Sequence, residues 1–224
     1  MNLQNTIATR YEIPAERVLR NTYALLAATM VPTVAGAALG LALKLGGVLS
    51  GFMGVLIFLA IAFGFIAGIN KFKNSGVGIA ILFAFTFFMG VVLSGLLGAV
   101  LGLKNGADLV MTAFLGTSAV FAGMAGLSSV IKRDLAPLGK ALFIGAVLLI
   151  VAGLANIFIQ SSALMVTLST LAAGIFSLFV LVDLKAVRDG YQTNYVMATL
   201  GVYLSLFNVF QSLLTLLGVF GGED

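Results

Sequence analysis

The chain has 224 residues, 61% hydrophobic and 9% charged, against about 25% charged in a soluble domain, so its apolar content exceeds any core this length can bury in water and lipid must cover the rest. It has no cysteine and no histidine, which excludes disulfides, thiolate nucleophiles, Ser-His dyads, histidine zinc sites and histidine-ligated haem; no metal and no cofactor is expected. The net charge of +4 comes from bases standing singly between apolar runs, not from the basic patch with interleaved aromatics that nucleic-acid binding requires.

Residues 1–17, MNLQNTIATRYEIPAER, are polar, carry both charge signs and lack the apolar core and small-residue cleavage site of a signal peptide. They are read as a retained tail, too poor in apolar residues to hold stable structure. A membrane domain over 18–220 and a short terminal segment, 221–224, follow. Uncharged runs from Asn21 to Leu43, Leu45 to Asn70, Asn74 to Leu103 and Leu109 to Ile131 suit one span each, because about 20 helical residues cross the hydrocarbon layer. The run from Ala141 to Val182 is about twice too long for one crossing at 1.5 Å per residue. It must fold back, with Gln160, Ser161 and Ser162 as the natural tip; Gly190 to Gly222 supplies the last span. The predicted fold class is therefore all-α integral membrane, with seven transmembrane helices at 19–43, 48–69, 76–103, 108–131, 139–159, 162–184 and 195–220.

Orientation follows from lysine and arginine. With the N-terminus cytoplasmic, the inside segments hold Arg10, Arg17, Arg20, Lys71, Lys73, Lys132, Arg133, Lys140, Lys185 and Arg188, and the outside holds only Lys44 and Lys104. The positive-inside rule favours that arrangement. It puts Glu223 and Asp224 outside, with a periplasmic C-terminus, and Tyr23, Tyr191 and Tyr195 at the inner interface. Gly36/Gly40, Gly47/Gly51, Gly64/Gly68 and Gly98/Gly102 are small-xxx-small pairs that permit close helix approach, although 27 glycines also produce such pairs by chance. Pro32 removes a backbone hydrogen bond in the first span and is expected to kink it.

Polar groups within the spans are few, and each is costly unless partnered. Asp183, in LFVLVDLKAVRDG, meets the negative end of its helix dipole. It reads either as an interfacial acid balanced by Lys185 and Arg188 or as a protonatable gate or cation ligand. On the last helix Gly201, Ser205, Asn208, Ser212 and Thr215 recur at spacings of four and three, with Gln211 beside them, so they share one face. That stripe is expected to face protein, either bonding across helices or lining a polar path; Asn156 is expected to make a similar interhelical bond. Asp183 is the only carboxylate available within the spans for an aspartic dyad, and every lysine sits at a loop or helix end, so no enzyme is expected. The first three and next three spans show no internal repeat of the kind found in many transporters.

RNTYALL (Arg20 to Leu26), GTSAVFAGMAGLSSVIKRDLAPLG (Gly116 to Gly139), GLANIF (Gly153 to Phe158) and TNYVMATLGVYLSLFNVFQSLLTLLG (Thr193 to Gly218) resemble the bacterial branch of the Bax inhibitor family, the last string most specifically. The resemblance implies seven helices with the last one central and wrapped by the other six. It also implies two functions: modulation of the membrane-anchored AAA protease FtsH, whose complex would be the partner in the bacterial inner membrane, and, as the alternative, a pH-sensitive calcium or ion leak sensed by paired aspartates on the last two helices. Asp183 matches the first aspartate of that pair, and Ser205 stands where the second would be. A proton shared between two acids is then impossible, and calcium, which favours several carboxylate and carbonyl oxygens, would meet one acid. The expected function is a non-enzymatic FtsH regulator.

Overall fold

The computed structural model describes residues 15–48 and 51–221. Seven helices cross it, all long and apolar enough to span a membrane: α1 Ala15–Ala42, α2 Gly51–Phe72, α3 Gly76–Leu101, α4 Gly106–Val130, α5 Ala136–Ile159, α6 Ser162–Arg188 and α7 Tyr195–Phe220, with a 3-10 turn at Leu45–Gly47 between the first two. The expected all-helical architecture is present, and the hairpin tip falls at Gln160 and Ser161. Gln160 takes a left-handed conformation (φ 54°), while the Ser161 hydroxyl caps α6 by accepting from the Leu164 amide at 3.2 Å.

The first helix starts earlier than its uncharged run suggests. Ala15, Glu16 and Arg17, assigned above to the tail, are helical, because Glu16 in the first turn suits the helix dipole and Val18 is buried against Val187 and Ala198. The tail expectation for residues 1–14 and the terminal segment at 222–224 lie outside the described residues. α1 remains continuous through Pro32.

Helix α7 forms the core. It packs against α1, α2, α3, α4 and α6, while α5 closes the outer ring by packing on α6 and touching α2. Phe85, Leu82, Tyr203, Leu214, Val202 and Val209, on α3 and α7, are almost completely buried. By contrast Leu142 is the only fully buried residue on α5; its large side chains, Phe143, Ile144, Leu148 and Phe158 among them, point outward as lipid-facing residues do. Two loop contacts fix the alternation of the spans. On one face the Asn194 amide donates to the Lys73 carbonyl at 3.1 Å and to Asn74 Oδ1 at 2.8 Å, joining the α6–α7 and α2–α3 connections. On the opposite face Asn105 Nδ2 donates to the Gly221 carbonyl at 2.8 Å, tying the α3–α4 connection to the end of α7.

The closest helix contact is α1 with α3. At Gly36 a side chain would collide with the Phe87 carbonyl, and at Gly90 with the Thr33 carbonyl; Gly40 faces Ser94, and Gly46 faces Gly95. Of the glycine pairs singled out from sequence, Gly36/Gly40 makes this contact. Gly47, Gly51 and Gly64 have open space where a side chain would be, and Gly68 and Gly98 meet only the side chains of Ile81 and Leu41 at ordinary distances. Spacing within one helix marks a smooth surface, but it does not say which helix, if any, comes to rest on it.

Candidate functional site

Asp183 lies on α6 where that helix packs against α7. Its Oδ2 accepts from Ser205 Oγ at 3.3 Å. Gly201, one turn earlier on α7, leaves the room that the carboxyl occupies, since a methyl group there would stand 3.2 Å from Oδ2. The two positions proposed for the site, Asp183 and Ser205, are thus brought together.

The balancing bases are not. Lys185 turns to Asp189, one helical turn further on, and is itself buried. Arg188 donates through Nε to Ser128 Oγ on α4 at 2.9 Å. Among the described residues no basic side chain forms an ion pair with Asp183. The reading of an interfacial acid balanced by its sequence neighbours is therefore corrected. Residues two apart on a helix are about 200° apart around it, so Lys185 points away from the face that carries Asp183.

The stripe on α7 is also only partly as expected. Ser205 and Ser212 are buried, Asn208 and Thr215 are half-buried, and Gln211 is exposed. The Asn208 amide donates to the Leu204 carbonyl at 2.8 Å and the Thr215 hydroxyl to the Gln211 carbonyl at 2.8 Å, both within α7. Of the stripe, only Ser205 bonds to another helix among the described residues. A hydroxyl or amide four residues after a free carbonyl lone pair finds it without any partner helix. Asn156 is corrected likewise: its Oδ1 accepts from the Ser161 amide at 3.1 Å and so closes the α5–α6 turn.

The other bonds that α7 makes across the bundle come from residues that the stripe did not include. Tyr203, almost fully buried, places its hydroxyl 3.0 Å from Thr33 Oγ1 on α1 and 3.4 Å from the Thr86 carbonyl on α3. Thr33 Oγ1 also has the Thr29 carbonyl at 2.8 Å, and either hydroxyl can donate in the Tyr203–Thr33 bond. Thr199, one turn before, gives its proton to the Tyr195 carbonyl at 2.7 Å and lies 3.4 Å from the Thr22 carbonyl. A mid-span tyrosine was the available signal, since a buried phenol must find a partner.

These features define an integral membrane protein: a seven-helix bundle organised around its last span, with one half-buried carboxylate between the last two helices. The chain belongs to the Bax inhibitor family, whose model, described as inhibitor of apoptosis-promoting Bax1, matches residues 15–222. It is similar to an uncharacterised protein of Neisseria meningitidis serogroup A, 35% identical over 219 residues and 96% of both chains. It is also similar to the Escherichia coli K12 protein named modulator of FtsH protease YccA, and to its counterpart in strain O6:H1, named inner membrane protein YccA. Each is 33% identical over 212 residues, covering 95% of this chain and 94% of the relative.

Proposed function

We propose that this chain is a non-enzymatic regulator in the bacterial inner membrane that binds the FtsH protease complex and modulates it. The observation that carries the reading is the full-length similarity to a protein named for that activity. The fold is compatible with it, because α5 and much of α2 and α4 present lipid-facing side chains to any membrane-anchored partner. The test is co-purification of FtsH with the detergent-extracted protein, together with the turnover of an unrelated FtsH substrate when this chain is overproduced. Absence of FtsH from the eluate, with substrate turnover unchanged, would remove the proposal.

The proposed orientation has the N-terminus in the cytoplasm and the C-terminus in the periplasm, supported by the ten-to-two distribution of bases. A reporter active only outside the cytoplasm is expected to work when fused at Asp224 and to fail at Lys73 or Asp134. Activity at either inner position would reverse the assignment.

A second reading, a calcium or proton leak, is favoured by Asp183, an acid within the bundle that forms no ion pair among the described residues. If the chain conducts, Asp183→Asn is expected to reduce flux in reconstituted liposomes by several-fold. Ser205→Asp would place two carboxyls at hydrogen-bond distance, where both do not ionise together readily, and flux should then differ more between pH 6 and 8 than in the wild type. Wild-type flux no greater than that of empty liposomes would dispose of this reading and leave the regulator reading intact.

A further inference from the structure

We propose that Tyr203 is a positioning residue for the Asp183–Ser205 pair, and that its bond to Thr33 holds α7 back from α6. Successive helical residues turn by 100°, so Tyr203 and Ser205 face nearly opposite sides of α7. Each has a companion one turn earlier: Thr199 beside Thr22 of α1 on the Tyr203 side, and Gly201 against the Asp183 carboxyl on the Ser205 side. The last helix is therefore held by hydrogen bonds on two opposed flanks, to α1 and α3 on one and to α6 on the other.

The two flanks are unequal. The Tyr203 and Thr33 hydroxyls are bonded at 3.0 Å, with the Thr86 carbonyl only a longer contact at 3.4 Å, and the phenol is anchored by a ring that packs against Phe85 and Phe207. The α1–α3 pair that receives it is itself fixed by backbone contacts at Gly36 and Gly90. On the other flank, Ser205 reaches Asp183 at 3.3 Å, beyond the usual hydroxyl–oxygen distance of about 2.8 Å. A small rotation or shift of α7 toward α6 would shorten that bond and lengthen the one to Thr33. The stronger, better-supported flank sets the position of the helix, so the Tyr203 bond determines how tightly the carboxyl is held some two residues away.

The measurement is the infrared carboxyl absorption of Asp183 in the full-length protein, assigned as the band lost in Asp183→Asn. Ser205→Ala removes the only hydrogen bond on the carboxyl among the described residues and defines the direction in which the band moves when that bond is lost. Tyr203→Phe, which keeps the ring and removes the hydroxyl, is expected to shift the band in the opposite direction, toward stronger hydrogen bonding. Thr33→Val is expected to shift it the same way as Tyr203→Phe, which keeps the test decisive if one of the two variants folds poorly. In the Ser205→Ala background, adding Tyr203→Phe should produce no further shift. A Tyr203→Phe band at the wild-type position, or one displaced in the Ser205→Ala direction, would overturn the proposal. So would an equal displacement with and without Ser205, which would mean that the phenol acts through general loosening of the bundle.

Discussion

Gly90→Leu is expected to prevent the bundle from assembling, seen as loss of monodisperse protein on extraction or a large fall in unfolding temperature. At this position the α1 backbone itself occupies the space of the missing side chain, with the Thr33 carbonyl and the Ala37 amide nitrogen at the glycine. Ordinary overpacking in a core costs about 1–3 kcal/mol because flexible side chains move aside. A backbone carbonyl in a helix has no such freedom, so α1 and α3 would have to separate along the contact that also contains Gly36 and Gly40. Separation would draw Thr33 away from Tyr203 as well. Gly123→Leu and Gly126→Leu on α4 are the controls, since a side chain at either meets open space; both should extract and unfold like the wild type. A Gly90→Leu protein as stable as these controls would show that the close approach of α1 and α3 is not what holds the bundle together.

The second large effect concerns the tail and rests on the proposed FtsH partnership. A processive AAA protease must grip polypeptide that it can thread, and the sequence from Asn2 to Pro14 is the longest stretch on the proposed cytoplasmic side without an apolar run. Helix α1 begins at Ala15, so removing residues 2–14 leaves every described helix intact and retains Arg17 and Arg20 for topology. The shortened chain is expected to survive several-fold longer than the full chain in a pulse-chase experiment. It should still bind through its membrane bundle, and so slow the turnover of an unrelated FtsH substrate. Equal half-lives would sink the handle idea. A stable truncation that leaves the other substrate untouched would separate stability from regulation and count against the regulator reading itself.

The seven spans were legible because the bilayer imposes length and charge sparsity, both of which the sequence displays without any knowledge of packing. Even the turn inside the charge-free run from Ala141 to Val182 could be placed, since one helix of that length has nowhere to go. Pairing information was not available in the same way. Gly90 has no second glycine four residues away in α3, only Thr86 and Ser94; the group it meets is the Thr33 carbonyl of α1, which residue identity alone does not reveal. Asp183 and Ser205, which the family resemblance sets at corresponding positions, lie 3.3 Å apart, whereas Lys185 and Arg188 are near Asp183 only in sequence, and on a helix such neighbours point in different directions. Asn208 and Thr215 attracted notice for their polarity, yet satisfy themselves on their own backbone. Tyr203 combines a mostly apolar ring with one hydroxyl, and its importance comes from where that hydroxyl lands.

The helix at the centre of the bundle is the last of the seven to leave the ribosome. The α1–α3 contact uses only residues made before α4, so that pair can settle while later spans are still entering the bilayer. Its inward side, with Thr33 and the Thr86 carbonyl turned toward the future place of Tyr203, has to wait for the final insertion. A chain interrupted before Tyr195 would lack the helix against which five of the other six pack and leave these polar groups facing lipid or one another. Insertion of the seventh span is thus the step that completes the core and gives these polar groups their partner.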